Sequence, residues 1–369
     1  MSSDLFSGAL RLILGDSEES SEIDPEDVSR NIETMTEPPA RSFLTVGEVI
    51  VRLDQVASST SVNFSRKIYC PELDVAGSLA EQGVFSEFFT VLPHGYYEST
   101  VRTMCAERGV DLRAVVAEEG SHTGDMTVLA DAKNKPIHQR RYSAFHSTPP
   151  PFRWEKGVVS DRAPCWVHTC VSSFVWSDYG LSSWMKLMET CVDPKRAPHD
   201  VLTSISLRAS ECQVEISELW KFVEQFCSQC AVIFLTPAEA IDINGLMTKW
   251  RQNALDPDAD DIGQNENEWM RLAAELRSNF ACECVCISFP CQLLVAHQAA
   301  PTPVATATTW LPPVVQMARF IHAMMVSEPI TSEEMLTHLM TQIATEEDEA
   351  AEKREGLVTQ VIQDLETSG

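Results

Sequence analysis

Cysteine is the residue whose spacing first suggests chemistry in this chain. Cys227 and Cys230 form a Cys-x-x-Cys just before the apolar run Ala231-Val232-Ile233-Phe234-Leu235, and Cys282, Cys284, Cys286 and Cys291 follow close together. Zinc would require four thiolates or imidazoles converging on one point. A spacing of two instead puts Cys282, Cys284 and Cys286 on one face of a predicted strand, splayed along the sheet. Buried, inert thiols in a packed core are therefore the expectation, and no metal is expected. A phosphate-cradling loop is equally hard to find towards the C-terminus, because no glycine occurs between Gly263 and Gly356.

Charge narrows the partners. The 369 residues carry a formal net charge of -26 with 44% hydrophobic content. Such a chain can bury a large core, but its excess carboxylate disfavours a broad nucleic-acid or anionic-membrane surface. Any anionic ligand must be met by a local basic site. The short apolar patch Leu10-Arg11-Leu12-Ile13-Leu14 is followed by Asp16, Glu18 and Glu19, which does not read as a secretory signal. No apolar run reaches the roughly 18 to 20 residues of a membrane span. The expectation is a cytoplasmic protein without membrane or direct nucleic-acid contact.

The elements that must position any site follow a β-α-β rhythm. Residues 1–42 are rich in Ser, Glu, Asp and Pro and predict a disordered acidic arm. Phe43 to Leu53 reads as a first buried strand, Val75 to Gln82 as a helix ended by Gly83, and Phe88 to Leu92 as a strand. Glu98 to Arg108 predicts a helix stopped at Gly109, with a strand from Val110. The pattern repeats through Trp166–Val171, Leu181–Cys191, Val201–Ser206, Glu215–Phe226 and Val232–Leu235, the signature of a doubly wound α/β sheet. A polar insertion spans Asp256–Glu268. Trp269–Arg277 then reads as a helix, Val285–Phe289 as a strand, and Pro313–Met325 and Ser332–Ile343 as closing helices. Residues 346–369 form a charged tail.

The order of motifs resembles the PfkB, or ribokinase-like, family of carbohydrate kinases. Thr45-Val46-Gly47-Glu48-Val49-Ile50-Val51-Arg52-Leu53 is similar to its opening strand, most of all to that of 2-keto-3-deoxygluconate kinases. Leu92-Pro93, Arg108-Gly109-Val110-Asp111 and Arg140-Arg141-Tyr142-Ser143-Ala144 follow in the family's order. The resemblance implies a domain over residues 43–345, a mostly parallel doubly wound sheet flanked by helices. It also implies a small β lid within about residues 54–75 and 115–146.

It further implies where a kinase site should lie, and there the chain departs from the family. The Gly-Gly-x-x-x-Asn sugar motif falls on Tyr69-Cys70-Pro71-Glu72-Leu73-Asp74, with both glycines gone and Asp74 left as a hydroxyl-binding candidate. Asp-x-Asn-x-Arg falls on Ser204-Ile205-Ser206-Leu207-Arg208, keeping only Arg208. With the lid-side Arg140, it could pair a substrate carboxylate. Asn-x-x-Glu falls on Thr236-Pro237-Ala238-Glu239, where Glu239 is the cofactor-binding candidate, through magnesium. The anion hole and catalytic acid, Gly-Ala-Gly-Asp, fall on Thr308-Thr309-Trp310-Leu311-Pro312-Pro313, which contains neither glycine nor acid. The glycine pair after the strand at Val285 is replaced by Phe289-Pro290-Cys291.

No catalytic residue is therefore assigned. Loss of a general base costs roughly two to four powers of ten in rate, and loss of an anion hole a comparable factor. The expectation is a catalytically impaired relative with a structural, interaction or ligand-binding role and no cofactor. An active divergent sugar or sugar-acid kinase using Mg and ATP is the alternative. A sugar acid or nucleotide is the candidate ligand, the acidic arm and tail are the candidate protein-binding segments, and the lid could pair two copies as a homodimer.

Overall fold

A nine-stranded sheet runs in the order β13-β12-β11-β10-β9-β8-β1-β4-β5, and a separate four-stranded sheet in the order β3-β2-β6-β7. The computed structural model describes residues 42–56, 63–93, 96–117, 124–130, 136–140, 145, 164–175, 178–192, 201–209, 215–248, 255–259, 261–307 and 312–344. In chain order the elements are β1 Ser42–Val46, β2 Ile50–Val56, β3 Asn63–Tyr69, α1 Pro71–Glu81, β4 Phe85–Pro93, α2 Tyr96–Glu107, β5 Val110–Ala117, β6 Gly124–Ala130 and β7 Pro136–Arg140. There follow β8 Trp166–Cys170, α3 Asp178–Val192, β9 Leu202–Ser206, α4 Ile216–Val223, β10 Val232–Leu235, α5 Pro237–Thr248, α6 Glu266–Phe280, β11 Cys284–Phe289, β12 Gln292–His297, β13 Val304–Ala307 and α7 Pro313–Val326. A last helix, α8, spans residues 333–344.

Seven adjacent strands of the large sheet, from β11 to β5, are parallel, and β12 and β13 continue it antiparallel. Such strands are covered on both faces, which is why β10 reads as an unbroken apolar run. Its side chains nonetheless alternate. Ile233 and Leu235 pack with Trp184 of α3, Trp220 of α4, Ile243 of α5 and Trp269 of α6. Val232 and Phe234 pack on the opposite face with Leu73 of α1, Phe320 of α7 and Leu339 of α8. Trp166, Trp184 and Trp269 are fully buried and anchor these two layers.

Two expectations need correction. Phe43–Leu53 is not one strand: β1 belongs to the large sheet and β2 to the small one. The chain leaves the large sheet at Gly47, whose N–H still bonds the Phe89 carbonyl at 3.1 Å. A Cβ there would lie 2.2 Å from the buried Glu72 carboxyl carbon, so only glycine lets α1 approach this closely. Cys282 does not share a face with Cys284 and Cys286. It precedes β11 and packs near Cys191, Cys227 and Cys230, whereas Cys284 and Cys286 face α7 and α8. The hairpin β11–β12 and strand β13 were not anticipated.

Burial pushes the thiols up, to about 12 for Cys191 and Cys230 and to about 11 for Cys105. They are core residues at neutral pH. Among the described residues no group of three metal-ligating side chains is assembled, and no helix is long and apolar enough to cross a membrane.

Candidate functional site

The C-terminal ends of parallel strands are where an open α/β sheet presents its ligands. Here β9, β10 and β11 end around a cavity of about 230 Å³, lined by Ser206, Arg208, Phe234, Leu235, Thr236, Glu239, Ser288, Pro313 and Met317. Three strand ends and the first turns of α5 and α7 thus meet at one place. Gln316 fixes α7 there by donating its amide N–H to the Phe289 carbonyl at 2.7 Å.

Arg208 sits just past β9 with φ of 52°, a left-handed conformation that a side-chain-bearing residue adopts at a cost of about 1–2 kcal/mol. The reason it persists lies in Glu239. The next residue's amide, Ala209 N–H, donates to Glu239 Oε1 at 2.6 Å, while Thr236 N–H donates to Oε2 at 2.9 Å. In return Glu239 N–H reaches Thr236 Oγ1 at 3.3 Å, a reciprocal cap at the start of α5. Thr-x-x-Glu before an apolar helix is a visible signal for this arrangement. Burial raises the Glu239 carboxyl above its ordinary range, and the Thr236 and Ala209 amides and the Arg208 charge oppose that rise.

Glu239 is therefore a brace for the Arg208 turn, with both oxygens committed to backbone amides. The guanidinium that it positions turns to the small sheet. Arg208 Nη2 donates to the Tyr69 hydroxyl, and its Cζ lies 5.5 Å from the Tyr69 ring centre.

Two hydroxyls in the cavity were not anticipated as site residues. Ser206 and Ser288 are 3% and 5% exposed, and neither Oγ meets a hydrogen-bond partner among the described residues. Both lie on the α7 side of the sheet. Beside them, buried His168 shares a hydrogen bond of 2.8 Å between Nδ1 and Ser204 Oγ, and Ser204 Oγ also accepts from Trp166 Nε1 at 2.8 Å. Ser204 Oγ thus bridges the indole and the imidazole in one buried hydrogen-bonded chain. Burial, reinforced by Arg208, pushes His168 down to about 3, so the ring is neutral at physiological pH.

Asp74 is not among the residues that line this cavity. Asp74 pairs with Arg108 at 2.6 Å and is half-exposed, tying α1 to the turn before β5. Arg140 ends β7 in the small sheet, where backbone register sets it opposite Met126, itself opposite Arg52. The Arg140 side chain lies outside the described residues, as do Thr308–Leu311 of the expected anion hole. Pro312 and Pro313 are described: they are the N-cap and first residue of α7, and neither has an N–H to offer an anion.

No protein-family model and no curated protein matches the sequence. Solved structures do. The chain is similar to the 2-dehydro-3-deoxygluconokinase of Thermotoga maritima, with 16% identity, a TM-score of 0.60 and coverage of 82% of this chain and 91% of that one. The ribokinase of Cryptococcus neoformans var. grubii serotype A in complex with ADP gives 12% identity, a TM-score of 0.61 and coverage of 82% and 91%. An uncharacterized sugar kinase of Pyrococcus horikoshii in complex with ATP gives 13%, 0.59, 82% and 90%. The architecture is thus the ribokinase-like α/β fold of PfkB sugar kinases.

Proposed function

We propose that this chain is a ribokinase-fold protein without effective kinase turnover, which keeps its site for binding a small oxyanion such as a sugar acid. The observation that carries the reading is the start of α7. Phosphoryl transfer on this fold needs donors and a base at that helix, and the segment Thr308–Pro313 supplies no acid and no glycine. Glu239 is the one carboxylate among the described residues lining the cavity, and backbone amides occupy both its oxygens. One carboxylate, each oxygen already accepting a backbone amide, is a sparse donor set for a magnesium–nucleotide complex. What supports binding is the positive turn at Arg208, with two buried serine hydroxyls beside it.

Incubating the protein with magnesium-ATP and 2-keto-3-deoxygluconate tests the reading. The expected result is no turnover above background. Turnover of even about one per second would establish the alternative, an active divergent sugar-acid kinase. Thermal-shift titrations with the sugar acid and with ATP separate retained binding from a purely structural role, since a ligand that binds only the native state raises Tm.

A further inference from the structure

Tyr69 stands where the family resemblance calls for a glycine, and its phenol does what a ligand would do. It ends β3 of the small sheet, immediately before α1, and its hydroxyl accepts from Arg208 at the end of β9. Arg52 of β2 lies over the same ring, 5.1 Å from its centre. Lys67 is directly opposite Arg52 in the register, and Asp54 is shared between them, 2.5 Å from Arg52 Nε and 2.7 Å from Lys67 Nζ. Arg52 and Arg208, one from each sheet, thus flank one neutral ring, while Asp54 pairs Arg52 and Lys67. A phenol is the weaker partner for a guanidinium, which pairs a carboxylate or phosphate through two parallel charge-assisted bonds.

We propose that Tyr69 is a built-in stand-in for an anionic ligand. It caps Arg208 and latches the small sheet to the large one, and a carboxylate or phosphate oxygen binds by displacing its hydroxyl. The inference rests on the ligand-binding reading above and adds a gate to it. A protein whose competent form is populated to a fraction f binds with an apparent Kd raised by 1/f, so weakening the latch must tighten binding.

Calorimetric titration of the full chain and of Tyr69→Phe, with 2-keto-3-deoxygluconate in one arm and inorganic phosphate in the other, tests this. The phenylalanine variant keeps the ring and loses the hydroxyl that Arg208 bonds. It is expected to bind one of the two probes about tenfold more tightly, the factor that a lost hydrogen bond to a charged group implies. The arm that responds identifies the oxyanion, and Arg208→Gln is expected to abolish binding in that arm. A urea-unfolding cycle with Tyr69→Phe, Arg208→Gln and the double variant is expected to show coupling between the two positions. Absence of coupling would overturn the latch. Binding that is equal or weaker in Tyr69→Phe would overturn displacement alone. If coupling is present but neither probe binds either protein, the ligand-binding reading falls, and the gate with it.

Discussion

At the scale of single residues, Glu239 and His168 carry charge-state consequences that can be measured. Glu239→Gln sets an NH2 group against one of the two backbone amides that the carboxylate now satisfies. A loss of about 2 kcal/mol in urea unfolding is expected, from one buried amide left unpaired. For His168 the direction of the pH effect follows from linkage. The unfolded chain takes up a proton as pH falls through about 6.5, whereas the folded ring resists until about 3. Its contribution is complete above the unfolded pKa and is lost progressively below it, by about 2 kcal/mol at pH 5. Unfolding curves from pH 8 to pH 5 are expected to be flatter for His168→Asn than for the natural chain. Arg208 and Glu239, which the order of motifs singles out, line one cavity. Their relation was not legible in the sequence, since it depends on a left-handed φ at Arg208 that no spacing reveals.

Between elements, the contact that decides how α1 docks is Gly47 against Glu72. Glu72 is 1% exposed and accepts from Ser173 beyond the end of β8, so its side chain has no room to withdraw. Gly47→Ala is expected to destabilise the protein by about 1–3 kcal/mol, the usual range for overpacking a buried contact. Adding Glu72→Ala removes the obstructing atoms, so the double variant should lose less than the sum of the two single changes, as a thermal-unfolding cycle would show. The elements flanking this contact were readable from period and punctuation. Gly83 and Gly109, both at positive φ, end α1 and α2 where the sequence places those ends. Strands β12 and β13 were not readable. Leu293 to Ala296 is a short apolar run without alternation and Val304 to Ala307 is built from small side chains, patterns that fit several conformations equally well.

For the whole molecule, likeness to sugar kinases at 12% to 16% identity is a statement about architecture, and function must be argued from the site. The net charge of -26 sets one global property. Self-repulsion among carboxylates is screened as the Debye length shortens, so raising salt from about 0.02 M to about 0.2 M is expected to raise Tm by a few degrees. Interspersed magnesium-free controls would keep specific ion binding apart from screening. The cysteines give the fold a property of a different kind. Of the described thiols, Cys165 and Cys291 are partly exposed and the other nine are buried. Burial on both faces of the large sheet makes the native protein slow to react with alkylating reagents at neutral pH. Each buried position becomes available only when its own layer opens, so the order in which the thiols are labelled reports the order in which the two faces of the sheet come apart. The core thus contains a natural clock for local opening, readable by mass without any engineered probe.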